Sequence, residues 1–250
     1  MKFISIVNQK GGTGKTTTVI SLGAVLAERG KKVLLIDLDP QGNLTYSLGV
    51  NEIEHTIGDV LMGDASAKQS IISLPDEGLD LIPSSIDLAN IEMSMAQIEE
   101  RELQLKKTLK GLSKYDFVLI DCPPSFSLLA VNSLTLSNEV IIPMQMTALS
   151  LQGLDLIYST IEQIRENLNP KLKILGILPV MIDKRRKLSS EVQSYIQDNF
   201  DITLFESSIR NNVKAAEAPS FGKSVIKYAP SSNSAKDYQA FGEEFLLVSK

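Results

Sequence analysis

Residues 8–18 read NQKGGTGKTTT and follow directly on the apolar run MKFISIV. A strand, a glycine-rich turn and a Gly-Lys-Thr triplet opening a helix make a phosphate-binding loop. Gly11, Gly12 and Gly14 let backbone N–H groups turn onto phosphate oxygens, and Thr13 lies among them. The anion then sits at a helix N-terminus, where unpaired N–H groups and the helix dipole favour negative charge. Lys15 supplies a point charge, and the hydroxyl of Thr16, with Thr17 behind it, can hold a magnesium ion on the phosphates. The spacing is unusual. Counting back from Gly14-Lys15-Thr16, the ordinary loop places its first glycine at residue 9, which is Gln9; Lys10 and Gly11 follow instead. The loop therefore carries a second lysine without an ordinary role.

Two acid-ended runs complete a nucleotide chemistry. KKVLLIDLDPQGN reads as a buried strand ending in Asp37 and Asp39, which share a strand face two residues apart. YDFVLIDCPPS is a second such strand, ending at Asp121. Carboxylates at the carboxyl ends of parallel strands lie at the ligand crevice. There they are costly to desolvate unless they serve a cation or a water molecule. Thr16, Asp37 and Asp121 are the candidate metal-side groups.

The elements that must position these residues recur along the chain. Apolar runs at 3–7, 32–38, 79–82, 117–120, 139–143 and 174–180 read as strands covered on both faces, as in a parallel sheet. Helical patterns fall at 16–29, 91–109, 151–168 and 189–199, and Ser234 suits the N-cap of a last helix, with Asp237 three residues on. Residues 43–73 are the least regular segment. The pattern predicts an α/β fold, one doubly wound and mostly parallel sheet with helices on both faces, in a single domain over residues 1–250.

Composition narrows the class. The net charge of −5 argues against a generally basic nucleic-acid binder, yet residues 181–227 carry eight Lys/Arg against six Asp/Glu. The single cysteine, Cys122, cannot form an intrachain disulfide or a cysteine-based metal site, which fits a reducing cytoplasm. The N-terminal run reads as a strand and not a signal peptide. No apolar run approaches the ~20 residues that span a bilayer. His55 reads as a surface residue, and Met93 and Met95 as helix surface or core.

KGGTGKTT resembles the deviant Walker A motif of the ParA/MinD ATPase superfamily, and LIDLDPQGN and LIDCPPS are similar to its A′ and Walker B motifs. The resemblance runs over nearly the whole chain, and EAPSFGK (217–223) with SNSAKDY is closest to the ParA/Soj branch. It implies ATP and Mg2+ as cofactors and slow hydrolysis that a partner stimulates. Lys10 would reach across a dimer interface to the partner chain's nucleotide, so that ATP holds a homodimer together. Asp39 would position the attacking water. The base would lie near Met181, Ile209 and Arg210. DNA would be bound without sequence preference, through Arg185, Arg186 and Lys214, by the ATP dimer on the nucleoid. The stimulating partner would be a ParB-like centromere-binding protein, in chromosome or plasmid segregation. Positioning of a protein cargo and MinD-like membrane association are the alternatives. The terminus DYQAFGEEFLLVSK lacks a basic amphipathic helix and argues against a membrane. One departure stands out: relatives have IPRNV where this chain has IRNNV, so Arg210 and Asn211 replace Pro and Arg.

Overall fold

The structure, a computed structural model, describes residues 1–182 and 188–249. Its strands are β1 (Lys2–Ile6), β2 (Val33–Asp37), β3 (Ile72–Leu74), β4 (Leu79–Ile82), β5 (Phe117–Asp121), β6 (Glu139–Gln145), β7 (Lys173–Ile182) and β8 (Ile209–Arg210). They form one sheet in the order β3-β4-β2-β5-β1-β6-β7-β8. Every pairing is parallel except β3 with β4. The first half of the chain supplies helices α1 (Lys15–Glu28), α2 (Asn43–Ser47), α3 (Ile57–Met62), α4 (Leu88–Met95) and α5 (Gln104–Thr108). The second half supplies α6 (Leu128–Leu136), α7 (Ala148–Asn167), α8 (Leu188–Asn199), α9 (Val213–Glu217), α10 (Val225–Tyr228) and α11 (Asn233–Val248).

The continuously apolar strands have a direct reason. Alternate residues of each strand feed two separate cores, one on either face of the sheet. Leu34, Ile36, Val118, Ile120 and Val140 join α3 to α8 on one side. Leu35, Leu119, Ile4 and Ile6 join α1, α2, α10 and α11 on the other. Gly242 lets α11 lie tight against α1, since a Cβ there would come within 2.4 Å of a Val25 methyl. Register then sets the site. Ile6 pairs with Asp121 and Asp37 pairs with Asp121, so the ends of β1, β5 and β2 lie side by side.

Three local expectations are corrected. The single helix over 91–109 is broken into α4, a 3-10 turn (Arg101–Leu103) and α5, with Glu100 at φ 53°. The cause is Asn132 on α6: its Nδ2 donates to the Arg101 carbonyl, and its Oδ1 accepts from the Leu105 N–H. Those bonds stabilise the break from outside the segment. The last helix is capped by Ser232, which accepts from the Ala235 N–H, while Ser234 is buried and Asp237 faces elsewhere. Residues 43–73 are more regular than their pattern suggests, holding α2, α3 and β3. α3 begins with a reciprocal Thr56–Asp59 capping box. Elements this short leave no readable periodicity.

Candidate functional site

The loop between β1 and α1 is wired from both sides. The Asn8 amide donates to the Pro143 carbonyl at 2.8 Å and accepts from the Lys10 N–H at 2.9 Å. Thr13 Oγ1 donates to the Lys10 carbonyl at 3.2 Å. Gly12 and Gly14 have φ of 72° and 76°, a conformation in which side-chain-bearing residues are strained. Gly14 forms the N-cap of α1 without any side-chain cap, so the first N–H groups of the helix remain available to an anion.

The two lysines of this loop differ sharply. Lys15 is buried, at 7% exposure, and lines the cleft over the loop. Burial lowers the pKa of its ammonium, while Asp121, Cys122 and Asp39 pull it back up. Lys10 is exposed and lines neither of the two pockets described below. Its ammonium makes no hydrogen bond or ion pair among the described residues.

Asp121 and Asp39 act on Lys15, and Asp37 lies beside them. Asp121 is buried, and its Oδ2 accepts from Thr16 Oγ1 at 2.6 Å. Its Oδ1 is buried with no hydrogen-bond partner among the described residues. Burial, then the nearby Asp37 carboxylate, holds the Asp121 pKa well above the usual carboxylate range. Asp37 is fully buried and raised to about 6 by burial, against the opposing effect of hydrogen bonds from Thr45. Its Oδ2 accepts from both the N–H and the hydroxyl of Thr45, at 2.8 and 2.7 Å, and its Oδ1 accepts from the Asp39 N–H at 3.3 Å. Asp37 thus anchors α2 to the end of β2. Asp39 lines the cleft, with Oδ1 accepting from the Gln41 N–H at 3.0 Å and its carbonyl held by Ser84.

An orphaned buried carboxylate oxygen beside a hydroxyl fits a divalent cation. Among the described residues no group of three or more His, Cys, Asp or Glu forms a metal cage. A cation held by one hydroxyl, one or two carboxylates and a ligand's phosphates is the magnesium pattern.

The cleft has two parts. The larger, of about 330 Å3, runs over Gly11–Thr17 past Asp39 and Pro124 to Lys223. The smaller, of about 130 Å3, is lined by Gly14, Thr17, Met181, Ile209, Arg210 and Tyr238, among others. Thr17 and Ala215 border both parts. Met181 sits in a bulge of β7 opposite β8, at φ 54°. The structure therefore brings Met181, Ile209 and Arg210 to one pocket next to the phosphate loop. It does not bring Lys214 there: Lys214 pairs with Glu217 at 2.8 Å and lies over the Tyr228 ring. Arg185 and Arg186 lie outside the described residues. Sequence reasoning missed Thr45, which holds Asp37, and Tyr238, whose hydroxyl meets Thr18 at 3.1 Å. A tyrosine inside a helical pattern carries no signal for a partner 220 residues away.

Residues 1–174 match the model of an AAA domain family. Over 246 residues the chain is 42% identical to the sporulation initiation inhibitor protein Soj of Bacillus subtilis, covering 97% of each. It is 41% identical over 233 residues to the chromosome partitioning protein ParA of Caulobacter vibrioides, covering 91% of this chain and 87% of that one. Among solved structures, cobyrinic acid a,c-diamide synthase from Mycobacterium smegmatis with bound ATP analog and magnesium superposes with a TM-score of 0.87. The identity there is 36%, over 98% of this chain and 94% of that one. With its deviant phosphate loop, its paired strand-end carboxylates and relatives of this similarity along its length, the chain belongs to the ParA/Soj family of P-loop ATPases.

Proposed function

We propose that the protein is an ATP-dependent molecular switch that dimerises on ATP and binds DNA without sequence preference. It releases DNA after hydrolysis, in the service of chromosome or plasmid segregation. The observation that carries this reading is the contrast within one loop: Lys15 is buried toward the protein's own cleft, and the Lys10 ammonium is exposed with no partner among the described residues. A lysine so placed can serve a nucleotide held by a second copy of the chain. Lys10 then supplies from outside the charge that an arginine finger supplies in other P-loop enzymes.

Lys15 and the loop N–H groups hold the phosphates of ATP. Asp39 accepts a hydrogen bond from the attacking water and aims it at the γ-phosphate. Lys10 of the second chain takes up charge on the transferring group. Thr16 and Asp121, with Asp37 behind them, would hold Mg2+, which when bound would neutralise phosphate charge. Among the described residues the cleft lining holds no histidine to act as a stronger base than Asp39, so turnover is slow and a ParB-like partner accelerates it. The base lies in the smaller pocket, against Met181 and Ile209. Replacing Lys10 with alanine leaves ATP affinity within about twofold and abolishes ATP-dependent dimers in sedimentation, as expected for a charge acting only across the interface. Dimerisation at the wild-type level contradicts the trans role.

For DNA, the partly basic stretch 181–227 supplies Arg185, Arg186 and Lys214. No helix among the described residues is long and apolar enough to cross a membrane. A cytoplasmic, nucleoid-associated protein is the corresponding localisation. The test is binding to non-specific duplex DNA with ATP, with ADP and without nucleotide, over a series of salt concentrations. Binding requires ATP, weakens steeply with salt because it rests on phosphate contacts, and drops about tenfold or more in Arg185→Ala/Lys214→Ala. The name of the Mycobacterium smegmatis neighbour favours a second reading, amide-forming chemistry on an acceptor substrate. Absence of DNA binding in every nucleotide state moves the function to that class.

A further inference from the structure

β8 is two residues long and closes the edge of the sheet. On one side it pairs with β7 across the Met181 bulge. On the other side it has no strand among the described residues. The Arg210 N–H on that edge instead donates to Asp237 Oδ2 on α11, at 2.9 Å. The same carboxylate grips the Arg210 side chain, Nη2 to Oδ1 at 2.6 Å and Nε to Oδ2 at 2.9 Å. Asp237 is mostly buried, with its side chain 12% exposed, and Arg210 is about one-third exposed. One turn-adjacent residue, Tyr238, lines the same pocket and bonds Thr18 on α1, just behind the phosphate loop.

We infer that Asp237 is a positioning residue for base recognition: it replaces the missing neighbouring strand, fixes Ile209–Arg210 as a wall of the base pocket, and turns the Arg210 guanidinium away from DNA. The inference rests on placing the base in the smaller pocket. A bidentate carboxylate–guanidinium pair with an added backbone bond is the geometry that immobilises an arginine. An arginine held this way contributes to the shape of a pocket and has little freedom to track a phosphate backbone. The same arrangement needs a residue at position 210 with both an N–H and a charged side chain. A proline at position 210 has no N–H to give and fixes its own backbone. Arg210 has both an N–H and a mobile side chain, and Asp237 restrains both.

The test compares binding of Mg-ATP with Mg-tripolyphosphate, which has the phosphates and no base, in wild type, Asp237→Ala, Asp237→Asn and Arg210→Ala. Asp237→Ala weakens ATP roughly tenfold, the scale of one charge-assisted hydrogen-bond pair, and leaves tripolyphosphate unchanged. Asp237→Asn keeps an oxygen for the Arg210 N–H, and recovers part of the loss. Arg210→Ala weakens ATP yet retains DNA binding, with its salt dependence, at saturating ATP. Equal weakening of ATP and tripolyphosphate in both Asp237 variants assigns the residue a purely structural role and overturns the inference. Loss of DNA binding by Arg210→Ala at unchanged ATP affinity overturns it too. Equal affinity of the wild type for the two ligands instead overturns the placement of the base itself.

Discussion

Replacing Lys15 with alanine lowers the affinity for Mg-ATP by two orders of magnitude or more, read by titration calorimetry. The size follows from burial. Lys15 is 7% exposed and faces Asp39 and Asp121. Truncating one partner of such a desolvated charge pair costs about 2–5 kcal/mol, much of it because the charge left behind is buried and unpaired. Removing the ammonium also leaves the buried carboxylates of Asp39 and Asp121 with less compensation. That further disfavours a polyanionic ligand in the same cleft. Methionine at this position, which keeps the packing of the stem, gives the same loss. Wild-type affinity in either variant means that the loop does not hold phosphate.

Replacing Asp39 with alanine leaves ATP binding and dimerisation in place and lowers the rate of hydrolysis by about 10²–10⁴-fold, the range seen when a group that handles the nucleophile's proton is lost. The split between binding and chemistry has a structural basis. Asp39 spends one oxygen on the Gln41 N–H and offers the rest of its carboxylate to the cleft. Asp37 spends both oxygens on Thr45 and the backbone of Asp39. The two acids share a strand end yet hold different parts: Asp37 holds structure, and Asp39 is the one left to meet a ligand. Total phosphate formed in a quenched single turnover on preloaded ATP separates the step from product release. Full turnover in Asp39→Ala removes the residue from catalysis.

Much of this site was legible before any coordinates, for local reasons. A phosphate loop must be contiguous, because its N–H groups come from neighbouring residues; the run from Gly11 to Thr16 therefore announced itself. Strands buried on both faces must be apolar throughout, so an acid at the end of one stood out at Asp37 and again at Asp121. What was illegible depends on partners distant in sequence. Nothing near Glu100 signals a helix break, because the side chain that stabilises it is Asn132. Nothing in SNSAKDY shows that Asp237 turns toward Arg210 rather than toward its own helix end. The bulge at Met181 is equally hidden, since it arises from how β7 meets a two-residue strand. Met181 and Ile209 were named by the family resemblance and not by local pattern, and the structure sets them in one pocket.

The contact between α1 and α11 has a consequence for how the protein comes into being. β1 is translated first but takes its place between β5 and β6, more than a hundred residues later in the chain. Thr18, just behind the phosphate loop, meets Tyr238, 220 residues further along the chain. A chain dominated by such distant pairings folds slowly, and most of the closure entropy is met late. Before α11 is made, the chain carries a phosphate loop but neither the α11 side of the smaller pocket nor the helix that backs α1. The smaller part of the cleft beside the phosphate loop is thus walled only once α11 has docked.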